Sequence, residues 1–399
     1  MLSAAAVRER ATEILEAGLA GELDNFRVDL DRLASTADIV AAVIRANYPK
    51  LKVPLHARWR HFIFEGRDLW AVTAAKRTWP TAKARARAEF DLAIVSVLLD
   101  AGAGAEWHYA DAATGLMIGR SEGLALASLR MFESGMFSAD PRDRLRADAK
   151  RLAAVTADDL KRGFAVSDTN PMAGLQGRAA LLARLGGALL ENKLFARNDG
   201  ARPGGLFDHL AAIAPGALPA PAILHELLVH LGGIWPDRLT LGGMPLGDTW
   251  RHPAIKRTDA SNGLMPLHKL SQWLTYSLIE PLQRGEIAVT DIDGLTGLAE
   301  YRNGGLFVDT NVITLREPDR INEVHAVNSE LVVEWRALTV ALLDRLLPLV
   351  RDRLGVRKEA FPLGALLEGG TWAAGRKLAK QARSDGGPPF KVVSNGTVF

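Results

Sequence analysis

The segment LAEYRNGGLFVDT (residues 298–310) sets two acids, an arginine and an Asn-Gly-Gly run between a helix-patterned stretch and a Thr/Val-rich one. Asn-Gly between apolar residues is a strong short-range hairpin signal, because both residues tolerate the positive φ of a tight turn. Read this way, the segment is a small β-hairpin. Glu300 and Arg302 project to one side of an extended strand, Tyr301 and Asn303 to the other, and the chain returns through Gly304-Gly305 to Asp309. The charges then form either the wall of a site or, by spacing alone, a buried ionic network with Lys269 that steadies the turn.

Outward from this segment the pattern is helical. Ala/Leu/Arg-rich windows recur at 7–18, 36–46, 81–100, 121–133, 143–154, 177–191, 221–231, 267–284 and 328–354, each bounded by Gly, Pro or a capping residue. Strand signals are few, chiefly those flanking Asn303-Gly304 and the Val392–Val393 region. The expected fold is therefore mainly α and multi-helical with a small β-hairpin element. Residues 1–382 read as one domain, with a possible sub-domain boundary in the Gly/Pro-rich segment near 197–221, and 383–399 as an extended C-terminal tail.

The 399 residues include 49 basic and 46 acidic ones, a formal charge of +3, with the basic residues scattered rather than clustered. Mean hydropathy is +0.03, which fits a globular chain with a large core. Such a balance calls for no nucleic acid. The absence of cysteine excludes disulfides, thiolate metal sites and cysteine nucleophiles. The first residues, MLSAAAVRERATEILEAG, carry five charges among apolar positions and read as an amphipathic helix rather than a signal peptide. Without an apolar run of about 18 residues, no membrane span is expected, and the cytoplasm is the expected location.

Several stretches invite chemical readings. HELLVH (225–230) resembles a zinc motif, but its histidines are five apart, about 140° round a helix, so they diverge. Neither a metal nor an organic cofactor is expected. LGGMPLGDTW (241–250) lacks the Gly-Lys-Ser/Thr of a phosphate loop, yet it and the next two residues gather Asp248, Trp250, Arg251 and His252. PLHARWRHF (54–62) offers His56 and Arg58, with Trp59 as an aromatic wall or a packing knot. GRSEGLALASLRMF (119–132) could present Arg120 and helix-start amides to a phosphate, or be a cap alone. In PLHKLSQWLTYSLIEPL (266–282), which also holds His268, a helix beginning near Leu267 carries Lys269, Gln272, Trp273 and Tyr276 at spacings of three and four on one polar-aromatic face.

From HARWRHF to the tail, the words RSEGLALASLRMF, GGLFDHL, LGDTWRH, HKLSQWL and EYRNGGLFVDT resemble a uracil-catabolism family of bacterial and fungal proteins, long filed as a domain of unknown function. That resemblance implies a pathway in which uracil, carried as a nucleotide, is ring-opened and finally yields urea through ribosylurea-type intermediates. A shorter resemblance, Lys269-x-x-Gln272 followed by Glu300-Tyr301-Arg302, is to the queuosine-salvage nucleotide N-glycosylases, helical proteins related in shape to DNA glycosylases. It departs from them at Glu for Asp and at the Asn-Gly-Gly that follows. Together the resemblances imply an N-ribosylhydrolase that releases urea from ribosylurea or its 5-phosphate. Glu300 is the expected oxocarbenium stabiliser or base, with Asp248 or Asp309 as its partner. Lys269 and Arg302 are expected to bind phosphate or orient the acid, and Trp250, Tyr301 or Trp273 to stack on substrate. The alternatives are a hydrolase or lyase of an acyclic urea compound, and a non-catalytic partner that channels an intermediate between uracil-catabolism enzymes.

Overall fold

A computed structural model describes residues 1–393 apart from 101 and 105; the Asn395-Gly-Thr sequon lies outside the described residues. The protein is mainly α-helical, as expected, and among the described residues strands occur only in short two-stranded pairs. None of the described helices is long and apolar enough to cross a membrane.

The chain divides into two compact units. Among the described residues, the first is made of Met1–His56, Arg238–Gln272 and 291–393, and the second of Ala57–Asp237 and Trp273–Thr290. The segment 197–221 lies within the second unit. The helix Lys269–Arg284 contributes its first turn to the first unit and its remainder to the second.

The first unit is built on the helix Glu330–Leu354, started by Ser329, whose hydroxyl accepts from the Val332 amide, and stopped by Gly355 at φ 67°. A left-handed residue at that place is what ends a helix cheaply when it is glycine. Its residues Leu331 to Leu343 are buried almost without interruption, and helices Ala4–Leu19 and Leu33–Asn47 pack against it. The tail is tied to this unit: Lys391–Val393 pairs in parallel with Val324–Ala326, and buried Phe390 meets Trp335 edge-on at 4.9 Å.

The second unit is centred on Ala82–Leu98, where buried Asp91 accepts hydrogen bonds from Arg202 and from the amides of Ala147 and Gly204. Trp59 and Trp70 are interior here, their indole N–H groups spent on the Ser277 carbonyl and on Glu89. Of the window 143–154 only Ala149–Ala153 is helical; the residues before it form a loop gathered round Asp148, which pairs with Arg146 and accepts from the Ala139 amide.

The segment 298–310 departs from the expected hairpin. Residues Tyr301–Asp309 form a helix, not a hairpin, and Glu300 is its N-cap. Gly304 is there for close packing rather than for a turn: a Cβ on it would lie 2.6 Å from the Trp335 ring of the long helix. On the other side, a Cβ on Gly375 would lie 2.1 Å from the Arg302 carbonyl, so the helix Trp372–Ala382 also approaches at backbone distance. Glycine in a helix costs about 1 kcal/mol against alanine, a cost offset here by two close helix contacts.

Candidate active site

Glu300 is 7% exposed and ends an extended segment whose carboxylate turns forward onto the helix it starts. Its Oε2 accepts from the Arg302 amide at 2.7 Å and its Oε1 from the Asn303 amide at 2.5 Å. A helix N-terminus favours a negative charge in this position. Burial nevertheless pushes the Glu300 carboxyl above its ordinary pKa, outweighing those two amides and the positive fields of Lys269 and His56. A carboxylate made more basic in a dehydrated place is a usable proton acceptor.

Lys269 reaches this neighbourhood because Asp248 anchors the start of its helix. The Asp248 carboxylate accepts the Lys269 amide at 3.0 Å, and the Asp248 carbonyl accepts the amides of Leu267 and His268. Arg336 on the long helix clamps the same carboxylate with two bonds of 2.9 and 2.6 Å, and the Trp250 indole adds a third at 2.6 Å. Burial acts to raise its pKa, but the Arg336 charge and these bonds prevail and hold Asp248 far below the usual carboxylate range. A carboxylate held in this way stays ionised near neutral pH and is a poor proton donor. Arg336 also donates to the Ala299 carbonyl, so one guanidinium fixes both the Asp248 loop and the residue before Glu300.

The second titratable pair comes from elsewhere in the sequence. His56 donates from Nδ1 to Glu368 Oε2 at 2.7 Å, and its ring lies 6.3 Å from that of Trp372, over which the Arg376 guanidinium sits at 5.3 Å. Glu368 is carried on a π-helical turn, Leu367–Thr371, between helical segments. Such turns are frequent at functional sites because the wider winding re-aims side chains. Gly369 and Gly370 permit it: a Cβ on either would run into Val53 or Val40 at 2.7 and 2.8 Å.

The full chain, residues 1–399, matches the family model described as "Protein of unknown function (DUF1688)". It is 38% identical over 413 residues to "Protein urg3" of Schizosaccharomyces pombe, covering 100% of this chain and 98% of that one. It is 34% identical over 414 residues to "Uracil catabolism protein 4" of Lachancea kluyveri, covering 95% and 93%. The chain belongs to the DUF1688 family.

In this DUF1688 chain the other residues singled out by sequence divide by place. Gln272 and Thr296 form a reciprocal buried pair, Nε2 donating to Oγ1 at 2.6 Å and the Thr296 amide to Oε1 at 3.3 Å. That pair joins the Lys269 helix to the segment leading into Glu300. Tyr301 is half-buried with the Arg302 guanidinium 4.8 Å from its ring, while Arg302 itself turns inward to the Gly386 carbonyl at 2.9 Å. Asn303 donates to the Leu298 carbonyl. His268 is fully buried at φ 48°, paired with the Met1 carbonyl, and burial keeps it neutral by lowering its pKa. Arg251 is exposed, and buried His252 faces Glu334 at 3.4 Å.

Asp309 is not brought to Glu300. It stands at the far end of the cap helix, nine residues or about 13 Å along the axis, paired twice to Arg383 of the tail at 2.7 Å. A turn would have folded it back, but a helix carries it away. Arg58, Arg120 and Trp273 belong to the second unit. Arg58 is wholly buried against Ser96 and Asp100, Trp273 packs its ring 5.6 Å from that of His61, and Arg120 is exposed at φ 56°. No local sequence pattern marks Glu368, Trp372, Arg376 or Arg336 as part of a site. The only signal was LLEGGTW, a glycine pair interrupting an apolar helix pattern.

Proposed function

We propose that the protein acts in uracil catabolism as an N-ribosylhydrolase that cleaves ribosylurea or ribosylurea 5-phosphate to the free sugar and urea. The observation that carries this reading is the pairing of a buried, amide-held carboxylate, Glu300, with a cation, Lys269, and a separate hydrogen-bonded acid pair, His56 and Glu368. The names of the two relatives support the pathway, and the matched Lys-x-x-Gln and Glu-Tyr-Arg residues support the bond that is cut.

In this reading the bond between C1′ of the ribose and the urea nitrogen breaks, its electron pair staying on nitrogen. The His56–Glu368 pair delivers a proton to that nitrogen, which urea requires because it is a poor leaving anion. Glu300 faces the positive charge that grows on the ring and takes a proton from the water that adds to C1′. Lys269 binds the phosphate, with Arg376 as the second cation, and Trp372 and Tyr301 offer flat faces to the substrate. Asp248 takes no proton and instead positions Lys269. The test is turnover of ribosylurea 5-phosphate by Glu300→Gln and Glu368→Gln. The expected result is at least a thousand-fold loss for the first and a hundred-fold loss for the second, with substrate still protecting both variants from thermal unfolding. Full activity in Glu300→Gln would overturn the proposal.

A further inference from the structure

Within the second unit, His209, Glu226 and His230 converge on one point. His209 Nε2 lies 2.7 Å and His230 Nε2 3.1 Å from the same oxygen, Oε2 of Glu226. The three ligand atoms all lie within 4.8 Å of one another. Glu226 and His230 are one turn apart on helix Ala220–Leu231, and so share a face as His225 and His230 cannot. His209 comes from the preceding helix, Gly205–Ile213.

We infer that this group is a site for a zinc-class divalent cation, clamping the two helices together. Neighbouring ligand atoms round a tetrahedral zinc are about 3.3 Å apart; each imidazole nitrogen already stands 2.7 or 3.1 Å from the carboxylate oxygen and no pair exceeds 4.8 Å, so side-chain shifts suffice for binding. Two imidazoles and a carboxylate are a donor set that zinc takes readily. The three side chains are 25%, 17% and 23% exposed, so the cation has a path from solvent and a fourth position remains for water.

Asn192 sets the state of the site without a cation. Its Oδ1 accepts from the Leu194 amide at 3.0 Å, which leaves its NH₂ to donate to His230 Nδ1, also at 3.0 Å. His230 therefore carries its proton on Nε2, where it bonds Glu226. To receive a cation on Nε2, that proton must be lost there and one regained on Nδ1, with the Asn192 bond given up. The opposing hydrogen bond weakens the site and does not abolish it. An acceptor at 192 would instead hold the Nδ1 proton and strengthen the site, as carboxylates behind metal-bound imidazoles do.

The experiment is calorimetric titration of the full-length, chelator-treated protein with zinc chloride, with thermal unfolding recorded alongside. One zinc per chain and a raised melting temperature are expected. His209→Gln/His230→Gln should lose both effects. Asn192→Asp, which keeps the Leu194 cap, should tighten binding about ten-fold. Zinc binding that survives the double variant, that is abolished instead by His252→Gln, or that is absent from the unaltered protein would overturn the inference. These readouts need no turnover and so stand apart from the proposed hydrolase activity.

Discussion

At the residue scale Glu300 and Asp248 are two carboxylates whose pKa values are pushed in opposite directions. Because burial raises the Glu300 pKa in the folded protein, folding favours its protonated form, and stability falls as pH rises through that raised value. Glu300→Gln keeps an acceptor for one cap amide and removes the buried charge. We expect its melting temperature at neutral pH to equal or exceed that of the unaltered protein, while Glu300→Ala loses the cap at a cost of about 1 kcal/mol. Differential scanning calorimetry of the pair separates the two roles. The acid limb of the rate should also lie above the ordinary glutamate pKa of about 4.3, since the base must be ionised to work. Asp248 behaves inversely. Its pKa is depressed, so its contribution is complete above the unfolded carboxylate value and is lost as pH falls below it. Asp248→Asn leaves Arg336 charged and without its carboxylate, which for a buried pair costs about 3–5 kcal/mol, measurable as a lowered urea midpoint.

At the element scale the decisive unit is the short cap helix Tyr301–Asp309, held between the long helix and Trp372–Ala382 by glycines at the contact points. Gly375→Ala puts a methyl group onto the Arg302 carbonyl, so we expect a loss of about 1–3 kcal/mol of stability, read by thermal denaturation, and a displaced Glu300. The longer helices were legible in the sequence because their apolar period and caps are local properties, as in Leu175–Glu191 and Glu330–Leu354. The cap helix was not, since Asn-Gly-Gly carries the same letters whether glycine serves a turn or lets two backbones meet. For a similar reason Glu368 is not legible in the sequence: a π-helical turn has no period of its own, and its partner His56 lies more than three hundred positions earlier. Lys269 and Gln272 share one helix, as their spacing indicates, and the family resemblance marked them as candidates together with Glu300.

At the scale of the whole molecule, the residues of the candidate site come from three stretches of the first unit: His56, the Asp248–Lys269 region, and the chain after Asp291. The tail belongs to that architecture through Phe390, which packs on Phe26, Trp335 and His325. Phe390→Ala should cost about 3–5 kcal/mol in equilibrium unfolding and depress activity at temperatures where the unaltered protein is folded. The family membership and the names of the relatives bear on the pathway, while the proposed bond cleavage rests on Glu300 and the His56–Glu368 pair. The most direct test of that is the product balance from purified protein and ribosylurea 5-phosphate, with urea, ribose 5-phosphate and ammonia quantified together. We expect urea and ribose 5-phosphate in equal amounts and no ammonia. Ammonia released with no free urea would place the cut within the urea group and contradict the account.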